Sequence, residues 1–297
     1  MKYPTLFLIA DRAALNMQRR YFVSLYAQFF LLTCASTLTL FSVYFDPDLS
    51  LAIYFCILLL GLMFALILAS QRPNQEWYNM RALAESAKTL TWRYAMRAQP
   101  FEENQDEADM RNSFAERLHS LLTVHGASTN QLVQSAEFGE IVTSDMGDIR
   151  SMPVEEQSKI YLNRRICDQL KWYQDKSHAN SRMAVRFSTF VVLIYIAAII
   201  MVVVQFSNFA LLSPPIVWMS EPLLVLAASV LGVAQAKRYS ELAASYALTG
   251  REIQKLDLEF NSMTDFSELP GFVARAEAAF SREHTQWIIR MDPGSSL

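Results

Sequence analysis

Two long blocks of this sequence carry almost no charge, and that limits what the chain can fold into. No Lys, Arg, Asp or Glu occurs from Tyr21 to Phe45, and none from Leu49 to Gln71. From Phe187 to Gln235 there is one, Glu221. A hydrocarbon core of ~30 Å takes about 20 apolar residues of helix to cross. Each block is long enough for two crossings and has turn residues near its middle. These are Asp46-Pro47-Asp48 in the first, and Ser207-Asn208 through Ser213-Pro214-Pro215 in the second. Proline lacks the amide donor a helix interior needs, so both places read as hairpin turns. The spans predicted are Tyr21–Phe45, Leu49–Ser70, Phe187–Phe206 and Ile216–Ala236. Composition agrees: 52% of residues are hydrophobic and 19% charged, against roughly 25% charged in an ordinary globular protein. A soluble bundle is the alternative, but its core helices are rarely uncharged on every face. The fold class expected is an all-α membrane protein. Four transmembrane helices form two hairpins, with long helical extensions in the cytoplasm.

Basic residues give the orientation. Lys2, Arg12, Arg19 and Arg20 precede the first span, Arg72 follows the second, Arg182 and Arg186 precede the third, and Lys237 and Arg238 close the fourth. The two hairpin turns hold no Lys or Arg. The positive-inside rule then places both termini and the long middle segment in the cytoplasm of a cell with an inner membrane. The first twenty residues end in Arg19-Arg20, so the first span reads as an uncleaved anchor.

Catalytic chemistry finds little to work with. Cys34 and Cys56 fall within spans and Cys167 outside them, which gives no disulfide framework. His119, His125, His178 and His284 have no metal-ligand spacing, and the few glycines form no phosphate loop. No enzyme, metal, cofactor or nucleic-acid partner is expected.

Sliding the first hairpin onto the second by about 167 positions superposes several features. Arg19 falls on Arg186, Pro47 on Pro214, Glu85 on Glu252 and Lys88 on Lys255. Gly61, Ala65 and Ala69 fall on Ala228, Gly232 and Ala236. The pattern suggests a parallel repeat of lead-in helix, hairpin and exit helix. Each small-residue set recurs every fourth position and so lines one stripe of a span, where backbones can approach closely. The stripes either hold each hairpin together or pair separate copies. The first span also carries Ser24, Thr33, Ser36, Thr37, Thr39 and Ser42, with Gln28 below them. Hydroxyls can bond to the carbonyl one turn back; a run of them also suits a wet pore wall. Packing and pore lining both stay open for Gln28, Thr33, Ser36 and Thr37. Glu221 is either a functional intramembrane acid or a solvated residue at the mouth.

The polar parts read as helices. Trp77 to Arg97 lacks Gly and Pro and keeps Leu83, Ala87, Leu90 and Tyr94 at helical spacing. A second helix carries Met110, Phe114, Leu118 and Leu121. Gly126 to Pro153 reads as a linker, and Glu155 to Arg186 as one long helix feeding the third span. The exit helix from Arg238 ends near Met263, Pro270-Gly271 breaks the chain, and a short helix runs to Arg290. The expected division is a first unit at 1–125, a linker at 126–153, a second unit at 154–263 and a tail at 264–297.

Two segments carry a family resemblance. Trp92-Arg93-Tyr94-Ala95-Met96-Arg97-Ala98-Gln99-Pro100-Phe101, preceded by Trp77 and Arg81 to Glu85, resembles the exit helix of one SLATT subfamily. Tyr161-Leu162, Arg164-Arg165, Asp168-Gln169, Trp172-Tyr173, Lys176 and Asn180 resemble the lead-in helix of another. The resemblance implies a two-hairpin membrane effector of prokaryotic nucleotide-signalling conflict systems. It also implies a pore opened by a cytoplasmic signal in anti-phage defence, with a nucleotide-signalling sensor protein or nucleotide-derived ligand as partner.

Read from the residues themselves, Arg165, Asp168, Trp172, Lys176 and Asn180 fall near one helical face that is polar yet aromatic. Such a face suits a buried helix–helix seam, with Arg81, Glu85, Trp92 and Arg93 supplying partners. A nucleotide is the other occupant, with Trp172 on a base and Arg165 on a phosphate. Two functions remain: a homo-oligomeric channel, or a membrane scaffold that recruits partners and conducts nothing. The topology is checked directly. Reporter fusions after Arg97 and at the C-terminus should register inside and a tag at Asp48 outside, and external labelling at Ser128 overturns the arrangement.

Overall fold

A computed structural model describes residues 1–102, 106–124, 139–206 and 219–291, with the backbone alone from 282. All regular structure among them is helical. Helix α1 runs Thr5–Phe41, followed by a 3-10 turn at Ser42–Tyr44 and then α2, Pro47–Gln71. Next come α3 (Pro73–Ala95), α4 (Glu107–Val124), α5 (Ser144–Ser151) and α6 (Val154–Tyr161). A π-helical turn, Leu162–Cys167, joins α6 to α7, Asp168–Phe206. The chain ends in α8 (Ser220–Lys237), α9 (Tyr239–Ser262) and α10 (Leu269–Met291), with a 3-10 turn at Phe266–Glu268 before α10.

Three helices are long and apolar enough to cross a membrane: Thr5–Tyr44, Pro47–Gln71 and the continuous run Val154–Phe206. The fourth predicted span is helical from Ser220 to Lys237. Its start at Ile216 and the predicted turn at Ser207–Pro215 lie outside the described residues. The first hairpin turn is built as its sequence suggests. Asp46 caps α2 by accepting from the Leu49 N–H at 3.0 Å, and Pro47 stands first in the helix, where its missing donor costs nothing.

The chain divides into two compact units. One takes Met1–Gln18, Pro73–Gln174 and the chain from Ala247; the other takes Arg19–Arg72 and Asp175–Tyr246. In the first, polar unit, α3 is the central helix. Its Ala82, Ala84, Ala87 and Ala95 are buried along with Leu83, Trp92 and Tyr94, and these short side chains let other helices come close on several faces. Leu6 and Ala10 of α1, the Met110–Phe114–Leu118–Leu122 stripe of α4, and Met146 of α5 complete one core. Helix α10 packs along α3 and buries Leu269, Phe272, Val273, Ala276 and Phe280.

Two sequence expectations change here. The predicted linker contains α5, capped by Thr143, whose hydroxyl accepts from the Met146 N–H at 3.4 Å. Met146, Ile149 and Arg150 of that short helix are buried. The Arg150 guanidinium donates to the Tyr94 and Phe101 carbonyls at 2.6 and 3.1 Å, which ties α5 to the end of α3. Pro270-Gly271 does not interrupt the tail. It lies in the first turn of α10, where proline is tolerated, and the break falls before Phe266.

In the second, apolar unit, α1 and α8 lie antiparallel through three contacts. Lys237 Nζ sits 3.3 Å from the centre of the Phe22 ring, Phe29 packs on Gly232, and Thr33 Oγ1 lies 3.5 Å from Ser229 Oγ. The Gly232 stripe thus joins the first span helix to α8, across the two hairpins. It fits neither of the two alternatives drawn from the sequence. Gly61 of α2 has open space where a side chain would stand, and the apolar window of α2 has no buried residue.

A Cβ on Gly232 would come within 2.4 Å of Phe29 Cζ. Gly232→Leu is therefore expected to destabilise the protein by about 1–3 kcal/mol through overpacking. Phe29→Ala in the same chain should restore part of the loss, as read by thermal unfolding in mild detergent.

Candidate functional site: a buried arginine–glutamate centre

The polar unit buries charge at one place. Arg165 is 1% exposed and Glu277 of α10 is 0% exposed. Arg165 Nε donates to Glu277 Oε1 at 2.8 Å and Nη2 to Oε2 at 2.6 Å, the two-pronged geometry that guanidinium and carboxylate favour. The Tyr161 hydroxyl donates to Oε1 at 2.9 Å. Arg165 Cζ lies 4.6 Å from the centre of the Phe280 ring. The Tyr161 ring meets the edge of Trp92 at 5.5 Å, and Trp92 Nε1 donates to the Tyr3 hydroxyl at 3.2 Å. The pair is therefore walled by aromatic rings.

Electrostatics reflect that enclosure. Burial works against the Arg165 charge, but attraction to Glu277 and the hydrogen bonds outweigh it and raise the guanidinium's pKa. Burial, reinforced by the Glu277 charge, holds the Tyr161 phenol protonated well above its ordinary range. Arg165 Nη1 and Arg93 Nε are buried with no hydrogen-bond partner among the described residues. Buried donors rarely stay unmatched, so the centre is strongly paired yet incompletely satisfied.

A second charged group lies on α3. Glu85, also buried, meets Arg81 Nη2 at 2.5 Å and Lys88 Nζ at 3.8 Å, while Arg81 Nη1 reaches Asp11 of α1 at 2.9 Å. Burial lowers the Lys88 pKa, with Glu85 opposing the shift. Arg93 Nη2 donates to the Ala274 carbonyl of α10 at 3.3 Å.

The predicted face from Arg165 to Asn180 does not stay together. Arg165 and Tyr173 are buried, while Asp168, Trp172 and Lys176 are exposed and Asn180 bonds back to the Lys176 carbonyl. The reason is the π turn at Leu162–Cys167. Its i→i+5 bonding inserts a residue and shifts the helical phase of α7 relative to α6. Arg165 consequently pairs with Glu277 rather than with Asp168, and Arg81 and Glu85 pair with each other.

Glu277, Tyr161, Tyr3, Asp11 and Lys88 are not among the predicted site residues. Glu277 leaves a trace in the sequence, since it lies on the same helical face as Val273, Ala276 and Phe280. An acid among core-facing positions needs a buried partner.

In the apolar unit, the hydroxyls of Thr33, Thr37, Thr39 and Ser42 donate to carbonyls three or four residues back. Ser36 and Gln28 are half-buried and Glu221 is exposed at the start of α8. Among the described residues no three His, Cys, Asp or Glu side chains gather as a metal site.

Truncating one partner of a buried pair leaves the other uncompensated at a cost of about 3–5 kcal/mol. Glu277→Leu and Arg165→Met should each lower the unfolding temperature strongly, and the double substitution should recover most of the loss. Additive losses in the double variant overturn the assignment of Arg165 and Glu277 as one unit.

Two family models match this chain in tandem. Residues 4–158 match SMODS and SLOG-associating 2TM effector domain 3, and residues 161–287 match SMODS and SLOG-associating 2TM effector domain 1. No curated protein and no solved structure matches. Arg165 and Glu277 both lie in the second matched segment, and Glu85 and Trp92 lie in the first. The apolar helices and the two matched segments together make this chain a membrane effector of the SLATT family with two SLATT domains in series.

Proposed function

We propose that the chain assembles as a homo-oligomer around an ion-conducting pore, held shut from the cytoplasmic side and opened during anti-phage defence. The observation that carries this reading is the position of the Arg165–Glu277 pair on the helix path. Arg165 stands in the π turn of the continuous run Val154–Phe206. The apolar segment beginning at Phe187 lies ~33 Å further along that same run at 1.5 Å per residue. A change at the pair therefore acts on one end of a rod whose other end is a span. π turns inside helices are frequent at functional positions, and this one holds donors left unmatched at Arg165 Nη1 and Arg93 Nε.

Assembly has support in the apolar unit. Helix α2 shows Leu51, Phe55, Leu58, Leu59 and Leu62 on its surface, and Gly61 stands open. Close approach of a second copy at such a stripe is the means of packing that lipid permits. Four predicted spans also leave too little wall for one chain to enclose a water path, whereas copies related by rotation close a ring. Gln28 and the hydroxyls near it, with Glu221, are the pore-lining candidates. The activating partner is a nucleotide-signalling sensor or its product, acting at the polar unit.

A second reading rests on the threonines. With the hydroxyls of Thr33 and Thr37 taken up by their own helix, α1 has less to offer water, which favours a non-conducting scaffold.

Ion flux in liposomes decides between the two. Wild-type protein should conduct little without a signal, and Glu277→Gln should conduct more at the same oligomer mass. Gln28→Leu should alter conductance without changing assembly. A monomeric mass across mild detergents, or no flux from assembled Glu277→Gln, gives the scaffold.

A further inference from the structure

The apolar unit contains a cavity of about 520 Å³ along the seam where α7 meets the end of α8 and the start of α9. Pockets that enclose small molecules generally hold about 300–1,000 Å³. Its apolar wall comes from Phe187, Val191 and Val192 of α7 and from Leu231 and Ala234 of α8. Its rim is different in kind. Arg238, in the left-handed conformation with φ 50°, ends α8 and forms an ion pair with Glu241 of α9, and both border the cavity. From Leu231 to Arg238 the polarity passes from hydrocarbon to full charge within ~10 Å of helix at 1.5 Å per residue. Arg182 and Arg186 precede the same wall on α7.

That gradient is the gradient of half a bilayer, acyl chain first and headgroup after. The rim also specifies which headgroup. A lone arginine would suit any phosphate, but here a carboxylate stands within bonding reach of the arginine. A headgroup with only negative charge would meet Glu241 unfavourably. A headgroup with both phosphate and primary ammonium lets each rim residue exchange its present partner for a lipid ion. Arg238 takes the phosphate and Glu241 takes the ammonium, so no charge is left unmatched. A quaternary ammonium has no N–H to give the carboxylate.

We propose that this groove binds one zwitterionic aminophospholipid, its acyl chain along Val191 and Leu231 and its headgroup between Arg238 and Glu241. Native mass spectrometry of the full chain tests this, using phosphatidylethanolamine, phosphatidylcholine and phosphatidylglycerol with the same acyl chains. Wild-type protein should retain phosphatidylethanolamine about tenfold over each of the others, the effect of one charge-assisted hydrogen bond. Ala234→Trp should abolish retention by filling the groove. Glu241→Gln changes an exposed side chain and should bring phosphatidylethanolamine down to the level of phosphatidylcholine. Equal retention of the three lipids, preference for phosphatidylglycerol, or an unchanged preference in Glu241→Gln overturns the proposal. So does a photo-cross-linker at Val191 that captures a second copy of the chain instead of lipid.

Discussion

The polar unit depends on a guanidinium and a carboxylate that have both left water. Desolvating two ions costs several kcal/mol each, and their attraction only roughly repays it. The Arg165–Glu277 pair therefore adds little stability over an apolar replacement. What it supplies is selection. Helix α10 can dock against α3 and the π turn in one register only, because any other leaves Glu277 facing hydrocarbon. The rings of Tyr161, Trp92, Phe272 and Phe280 close the site on that condition. Around it, short side chains on α3 keep the backbones close, so the ring packing and the ionic contact require the same geometry.

The apolar unit answers to other physics. Between helices in lipid there is no hydrophobic drive, so contact must come from shape and from a few polar groups. Phe29 set against Gly232 supplies shape. The Thr33 and Ser229 hydroxyls and the Lys237 ammonium over Phe22 supply polarity at two other levels of the same helix pair. Helix α2 has none of these features, and its apolar residues remain on the surface.

Absence of charge makes the span helices legible, because nothing else in a chain this size tolerates such stretches. The cap at Asp46, the end of α2 before Arg72 and the stripe on α4 are legible from local chemistry. The partner of Arg165 is not. It lies 112 residues away in a tail whose acid at Glu277 draws notice only once α10 is known to be buried. The face beyond Arg165 is misread when a 3.6-residue repeat is carried through a π turn. The repeat between the two hairpins has a mixed outcome. Arg72 and Arg238, 166 positions apart, both adopt left-handed backbone where a span helix ends. Yet Glu85 is buried while its sequence counterpart Glu252 is exposed. Backbone turns are fixed by local strain, whereas environment depends on what packs nearby.

The division of the chain into units does not track its division into family segments. Each compact unit draws residues from both SLATT segments, so a cut between 158 and 161 would leave neither piece with a whole unit. The piece carrying Phe29 would lack Gly232, and the piece carrying Arg165 would lack the Trp92 wall. The two segments thus relate as two subunits that happen to share a gene. Fusing them fixes their stoichiometry at one to one and frees each to change sequence on its own.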